Sequence, residues 1–582
     1  MELSYTDERN AQIVIALLKA HNIRKVVASP GTTNACFIAS IQNDDYFEVY
    51  SAAEERSAGY IACGMAAESG EPVVLSCTGA TSSRNYMPAM TEAYYRKLPI
   101  LAITSSRRNI YIGHNFDQVT DRTQLPNDVA KMSVQLPLVH DRESEWACMI
   151  DANKAMLELR HHGGGPVHIN LETNYSQNKV KKIEPVRAIY RYVENDELPS
   201  LTSKRIAIVV GAHNKWSERL TNAVNDFCKA YNAVVVCDHI SNYKGKYRVF
   251  PNIVTHQKYY TATIKNVDVV IHIGEITSSV YGINSKEVWR VCPDGELRDT
   301  FKKLKYVFEL EEYAFFEKYA SMVTSLSDDE LLNSCKNDEQ MILQNIPDMP
   351  LSNTWIASVT ADKIPENSTL HLGIRNSLRV WSFFDTKDSV LGYSNTGGFG
   401  IDGSMSAVIG ASFANADKLH FCVLGDLAFF YDINSLGNRH LGNNIRILLI
   451  NNGTGMEMRF AFAWGHKIAT SLGIDENEYI SASGHYGNKS SELVKHFTED
   501  LGFKYMSATS KDEYLEKINE FVDCKYNEKP IVFEVFVNAE DEDVAIEALS
   551  EIKKDQIGVA KQAIKGIFGE KGFNTVKNIL KK

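Results

Sequence analysis

No run of apolar residues in this 582-residue sequence approaches the roughly 20 needed to cross a bilayer, so no membrane-spanning helix is expected. The N-terminus, "MELSYTDERNAQIVIALLKAHNI", has acids among its first residues and reads as a capped amphipathic helix. It lacks the pattern of a signal or transit peptide, which predicts a cytoplasmic protein. C-x-x-C pairs are absent too. The ten cysteines are scattered singly, several within apolar runs such as "VVLSC" and "VVVC", which predicts buried free thiols in place of a disulfide framework or a zinc site. Basic residues are in deficit: 62 Lys and Arg against 73 Asp and Glu give a formal net charge of -11. With no basic stripe, a nucleic-acid partner is excluded and small molecules are the expected ligands.

What the chain does have is length and alternation. A hydrophobic fraction of 44% and a mean hydropathy of -0.24 are ordinary for a globular chain. At about 100–200 residues per domain the length predicts about three domains. Short β-branched runs alternate with stretches of 3.6-residue period, the α/β pattern of parallel sheets covered by helices. The first block carries "IRKVVASPG", "EPVVLSCTG" and "LPILAITSS"; the second carries "RIAIVVGAHN", "AVVVCDH", "VDVVIHIGE" and "KYVFELE". The third has "TLHLGIRNS", "SVLGYSNTGG", "LHFCVLGD", "IRILLINNG" and "IVFEVFV". The expected fold is α/β, three doubly wound parallel-sheet domains at 1–185, 200–330 and 350–540, followed by a helical Lys-rich tail at 541–582.

Chemistry concentrates at strand ends. In "GDLAFFYDINSLGNRHLGNNIRILLINN", Asp426 follows one apolar run and Asn452 the next, one strand-helix-strand crossover apart. A right-handed crossover puts both ends on one sheet edge, where a carboxylate, an amide oxygen and a loop carbonyl can hold Mg²⁺ on a diphosphate. Helix capping by Asp426 and a turn at Asn451-Asn452 is the competing explanation. "GFGIDG", Gly398 to Gly403, satisfies the dinucleotide fingerprint, with Asp426 about 20 residues on; it cradles a diphosphate equally well in another context. In "SAAEERSAGYIACGMAAESG", two glutamates open a helix whose Ala58, Gly59, Ala62, Gly64 and Ala66 permit close packing. One acid would cap and the other turn inward, although a glutamate at a helix start is commonly a solvated partner of the helix dipole.

Taken together, "SPG", "EER" with "GMA" nine residues beyond its second Glu, "SNTGGFGIDGSMS" and "GDL…INNGTG" resemble the thiamine diphosphate-dependent enzymes of the acetolactate synthase and pyruvate decarboxylase kind over about residues 1–540. The "SN-x-G-x-x-GIDG-x-x-S" pattern, "GDL" for the usual "GDG", "YDINSLG" and "NSL" are most similar to the succinyl-enolpyruvyl-hydroxycyclohexene-carboxylate synthases. The resemblance implies a pyrimidine-binding, a central and a diphosphate-binding domain, with thiamine diphosphate and Mg²⁺ as cofactors. The metal would be held by Asp426, Asn452 and the carbonyl of Thr454, and the pyrimidine ring by Glu55, with Glu54 the alternative. Asn376, Ser377, Gly403, Ser404, Gly425 and Leu427 would line the diphosphate, and Phe399 or Ile401 would be the apolar wedge under the cofactor. Gln118 matches a position near the reacting carbon, and His114 in the same loop is a candidate general acid or a merely exposed histidine.

The implied reaction is decarboxylation of a 2-oxo acid with transfer of the fragment to an aldehyde, ketone or enoate acceptor. A simple decarboxylase, or a dinucleotide oxidoreductase or silent binding protein, are the alternatives. The active unit would be a homodimer or homotetramer with sites between subunits. No FAD is expected, because "VVGAHN" in the central block lacks spaced glycines. Three arginines of the synthase pattern are missing: Thr32-Thr33 stand for Ser-Arg, Trp381 for one Arg and Thr396 for another. Each lost guanidinium would leave a substrate carboxylate poorly paired, at a cost of about 1–3 kcal/mol. Arg375 and Arg379 remain as candidates for an anionic donor, or lie at the surface.

Overall fold

Each apolar run named above contains a strand in the computed structural model, which describes residues 3–202, 205–276, 282–323, 327–526, 528–560 and 562–563. The strands are continuous apolar runs because they are covered on both faces. All seven residues of Ile445–Asn451 are buried, as are all six of Val167–Glu172.

The chain forms two compact units, Met1–Leu198 with Asp294–Glu309, and Pro199–Pro293 with Leu310–Lys582. The first unit holds a six-stranded parallel sheet in the order Glu48–Ser51, Lys25–Ala28, Val73–Thr78, Ile100–Ser106, Val167–Glu172, Met132–Leu136. Leu304–Phe308, the strand of "KYVFELE", groups with this unit and pairs in parallel with Tyr190–Tyr192.

In the second unit, Arg248–Val249, Ala233–Val236, Ile206–Val210, Val269–Ile273 and Glu287–Val291 are parallel neighbours in that order. Its other sheet runs Leu391–Tyr393, Thr369–Leu372, His420–Gly425, Ile445–Asn451, Ile531–Phe536, Lys504–Ala508, again all parallel. Numbered along the chain, this sheet and that of the first unit share one topology, 2-1-3-4-6-5. In each, the connections leave strands 1 and 3 in opposite directions, which opens a crevice at their carboxyl ends where doubly wound sheets bind ligands.

The sheet order also decides the fate of "GFGIDG". A dinucleotide unit needs its fingerprint directly after a strand whose βαβ partner lies beside it. Here Leu391–Tyr393 is an edge strand, Thr369–Leu372 separates it from His420–Gly425, and four residues intervene before Gly398. The dinucleotide reading is therefore corrected: the segment leads into the helix Ser404–Ala414.

Residue 541, where a Lys-rich tail was expected, lies within the acidic helix Ala539–Ser550, whose Glu542, Ala545, Ile546 and Leu549 are buried. The expected tail residues 564–582 lie outside the described residues. No described helix is long and apolar enough to cross a membrane. All ten cysteines are free; Cys36 is half-buried, Cys524 exposed and the rest buried.

Candidate active site

The crevice of the second unit's six-stranded sheet is a cleft of about 210 Å³. After strand Thr369–Leu372 come Gly373, Arg375, Asn376 and Ser377; after His420–Gly425 comes Asp426 with Leu427; after Ile445–Asn451 come Asn452 and Thr454. Eight of the eleven residues expected at the metal, the diphosphate and the apolar wedge thus line one cleft: Asn376, Ser377, Ile401, Gly425, Asp426, Leu427, Asn452 and Thr454. Three do not line it. Gly403 is the N-cap of the helix Ser404–Ala414, Ser404 is buried in that helix's first turn, and Phe399 is 40% exposed beneath the Arg375 guanidinium, 4.9 Å from its ring centre.

Asp426 is 8% exposed. Its Oδ1 accepts from its neighbour Leu427 N–H at 2.9 Å, and the Gly453 N–H also favours its charge, yet burial dominates and pushes the carboxyl up to about 7. A carboxylate ionised at such a buried position is stabilised by a positive partner. The two amides of the Asn-Asn pair divide their work. Asn451 is structural: its Nδ2 donates to Glu534 Oε1 at 2.7 Å, and its Oδ1 accepts from Gly453 N–H. Asn452 faces the cleft, and its Oδ1 accepts from Thr454 N–H at 3.3 Å.

The loop between them is pinned. Gly453 has φ +71°, and a Cβ there would lie 2.6 Å from Asn488 Oδ1, so only glycine fits. Thr454 Oγ1 shares a hydrogen bond with Ser483 Oγ at 2.7 Å, and Gly455 N–H donates to Ser481 O at 2.6 Å. Asn376 Oδ1 is buried and has no partner, and Arg375 before it sits at φ 71°, ψ -106°, a conformation unusual for a side-chain-bearing residue. A buried acid, the unpaired buried amide oxygen of Asn376 and the Asn452 amide oxygen form an oxygen-rich donor set that fits a hard cation carrying a diphosphate.

Sequence reasoning missed the support behind this cleft. Glu542 is fully buried, and its Oε1 accepts from Asn353 N–H at 3.1 Å, in the first turn of the helix Asn353–Thr360. The Asn452 side chain also favours the charged form of Glu542, but burial outweighs both and pushes that carboxyl up to about 7. Asn353 lines the cleft, and its Oδ1 accepts from the Trp381 indole at 3.0 Å. Asp432, within "YDINSLG", accepts from both Ser406 N–H and its hydroxyl, at 2.6 and 2.5 Å, and so ties the "GIDGSMS" turn to the helix after Asp426. The signal for Glu542 was present: residues 542, 545, 546 and 549 share one helix face.

In the first unit the two adjacent glutamates part company. Glu54 caps the helix Glu55–Ser69, accepting from Arg56 N–H at 3.1 Å and Ser57 N–H at 2.9 Å. Glu55 is half-buried, and its Oε2 accepts from Asn85 Nδ2 at 3.3 Å. The expected close packing holds at Gly59, where a Cβ would lie 2.6 Å from that of Ala89. It does not hold at Gly64, which has nothing within 4 Å and is flanked by the exposed Tyr60 and Ile61.

Gly31 of "SPG" packs on Thr78, so the carboxyl ends of strands Lys25–Ala28 and Val73–Thr78 are in contact across this unit's own crevice. His114 and Gln118 lie exposed in the loop after Ile100–Ser106, which Arg107 anchors through Asp117 at 2.6 Å; Gln118 has φ 58°. Of the positions where the arginine pattern fails, Thr33 and Thr396 are buried, and Trp381 is fully buried. Arg379 is paired with Glu457 at 2.9 Å, whereas Arg375 is half exposed.

Comparison with known proteins agrees with this geometry. Residues 9–125 match the family model for the thiamine pyrophosphate enzyme, N-terminal TPP binding domain. The 2-succinyl-5-enolpyruvyl-6-hydroxy-3-cyclohexene-1-carboxylate synthase of Phocaeicola vulgatus is 31% identical over 576 residues, covering 92% of this chain and 97% of the relative. Those of Bacteroides thetaiotaomicron, 31% identical over 578 residues, and Flavobacterium psychrophilum, 27% over 567, cover the same shares. With parallel α/β sheets, a diphosphate-type cleft and this likeness along nearly its whole length, the chain belongs to the thiamine pyrophosphate enzyme family that includes the 2-succinyl-5-enolpyruvyl-6-hydroxy-3-cyclohexene-1-carboxylate synthases.

Proposed function

We propose that this protein is a thiamine diphosphate- and Mg²⁺-dependent carboligase that decarboxylates a 2-oxo acid and transfers the remaining fragment to an acceptor. The observation that carries the reading is the burial of the Asp426 carboxyl in the same cleft as Asn452 and Thr454. Asp426, the Asn452 amide oxygen and the Thr454 carbonyl would hold Mg²⁺, and Asn376, Ser377, Gly425 and Leu427 would line the diphosphate. Ile401 supports the cofactor from the apolar side. The cofactor supplies the electron sink that lets carbon dioxide leave a 2-oxo acid.

The chain supplies the rest. Glu55, freed by Glu54 from capping, would hold a proton for the cofactor's pyrimidine ring; Gln118 and His114 would serve the reacting carbon; and Glu542 positions Asn452 from behind. The exposed Tyr60, Ile61 and Gly64 on the helix of Glu55 suit a second copy of the chain, giving a homodimer with sites between subunits. The setting is the cytoplasm.

The donor and acceptor are less anionic than those in the relatives' name suggest. At Trp381 and Thr396 a buried neutral side chain replaces an arginine, and the two remaining arginines share one carboxylate, Arg379 at 2.9 Å and the half-exposed Arg375 at 3.9 Å from Glu457, which offsets part of the positive charge on this wall of the cleft. Carbon dioxide release from a panel of 2-oxo acids, with Mg²⁺ and thiamine diphosphate and with or without acceptors, tests the proposal. Release that depends on an acceptor is expected. Equal release without one would make the enzyme a simple decarboxylase, and no release from any donor would refute the reading.

A further inference from the structure

Away from both crevices, the first unit holds a second cluster of metal-ligating side chains. His161 and His162 occupy a 3₁₀ turn just after the helix Arg142–Glu158, in the stretch "RHHGGGP". Glu309 directly follows the strand Leu304–Phe308. One ligand atom from each lies within 4.8 Å of the others. His161 Nε2 is 3.1 Å from Glu309 Oε2, and His162 Nε2 is 3.0 Å from Glu309 Oε1. We propose that His161, His162 and Glu309 form a binding site for a divalent transition metal of the Zn²⁺ class, independent of the Mg²⁺ cleft.

The argument rests on which nitrogen faces what. His161 Nδ1 lies 2.9 Å from Glu158 Oε2, and the other oxygen of Glu158 is 3.2 Å from Lys131 Nζ. A neutral imidazole has one N–H; donated from Nδ1 to Glu158, it leaves a lone pair on Nε2 aimed at a Glu309 oxygen that also carries lone pairs. Such a contact needs a cation between the atoms, either a second proton on the ring or a metal ion. This is the arrangement by which an outer carboxylate fixes the tautomer of a metal-bound histidine and raises its basicity.

Tetrahedral Zn²⁺ with bonds of about 2.0–2.2 Å separates its donors by about 3.3 Å; the contacts of 3.0 and 3.1 Å, each to a different oxygen of Glu309, lie near that spacing, and all three donors already lie within 4.8 Å of one another, so side-chain rotation suffices to close the set around one ion. His162 is set for the task by its backbone, at φ 46°, ψ 49°, and three positive-φ glycines, Gly163, Gly164 and Gly165, return the chain. The two rings stack at 3.6 Å between centroids. With the His161 side chain 5% exposed and that of His162 67% exposed, the site is anchored within the unit and keeps one position open to water. Two imidazoles and one carboxylate suit Zn²⁺, whereas Mg²⁺ prefers oxygen donors alone.

The test is calorimetric titration of the chelator-treated full chain with Zn²⁺ alone, in a Cys524→Ser background that removes the exposed thiol. One equivalent per chain with micromolar or tighter affinity is expected, unaffected by excess Mg²⁺. His162→Asn, chosen because asparagine tolerates the left-handed backbone, and Glu309→Gln should each weaken it at least tenfold, and Glu158→Gln by about 10-fold or more. Co²⁺ should give visible d–d bands in the parent protein that are lost in His162→Asn, whose metal-free melting curve should match the parent's. Absence of a saturable equivalent, equal binding by the variants, or displacement by Mg²⁺ would overturn the site and leave His161 a hydrogen-bond partner of two glutamates. None of these outcomes depends on the proposed reaction.

Discussion

Asp426→Asn should stabilise the cofactor-free protein at alkaline pH while abolishing cofactor binding. Burial holds the Asp426 carboxyl at about 7 against an ordinary 3.8. The folded chain therefore keeps a proton that the unfolded chain has lost between pH about 4 and 7, and stability falls as pH rises through that window. Above pH 7 the full penalty applies, about 4 kcal/mol for a difference of about three pH units. Asparagine carries no charge to bury and keeps an oxygen for Leu427 N–H, but its NH₂ then opposes Gly453 N–H, at a cost of about 1 kcal/mol. The net expectation is about 2–3 kcal/mol in favour of the variant at pH 8.5. Glu542 carries a similar burial penalty, but it is common to both proteins. Melting curves of the two cofactor-free proteins at pH 5 and 8.5 measure this: the curves should lie close together at pH 5 and separate by several degrees at pH 8.5. Mg²⁺ with thiamine diphosphate should raise the parent's midpoint only. Parallel pH profiles would mean that the carboxylate is not desolvated.

Glu55→Gln should lower turnover by about 10²-fold or more, the scale of a lost acid–base group, with cofactor affinity within a few-fold of the parent in a binding titration. Glu542→Ala removes the acceptor of Asn353 N–H and the support of Asn452; cofactor affinity should fall about 10–100-fold, while turnover at saturating cofactor stays near the parent's and Glu542→Gln restores most of the loss. Gly453→Ala strains φ +71° and presses a methyl on Asn488, so the cofactor concentration at half-maximal rate should rise several-fold, with a lower melting temperature.

The sequence made the strand ends readable because parallel strands, buried on both faces, are continuous apolar runs that stop where polar loop residues begin. "LHFCVLGD" therefore pointed to Asp426 and "IRILLINNG" to Asn452. Local spacing could not say which glutamate of "EER" caps; the backbone at Glu54, φ -110° and ψ 123°, decides it. Nor could it show that Glu542 reaches Asn353, a partner 189 residues away, because "AEDEDVAIEALS" offers five acids and tertiary packing chooses one. "GFGIDG" misled for the complementary reason: the fingerprint is local, whereas the strand order that gives it meaning is not. The His161, His162 and Glu309 cluster joins segments 147 residues apart and left no motif to read.

The most direct test of the central claim is calorimetric binding of thiamine diphosphate to the parent protein and to Asp426→Asn, each with and without Mg²⁺. The account predicts binding to the parent that requires Mg²⁺, and none to the variant under either condition. Binding that is indifferent to Mg²⁺, or that survives in the variant, would contradict it.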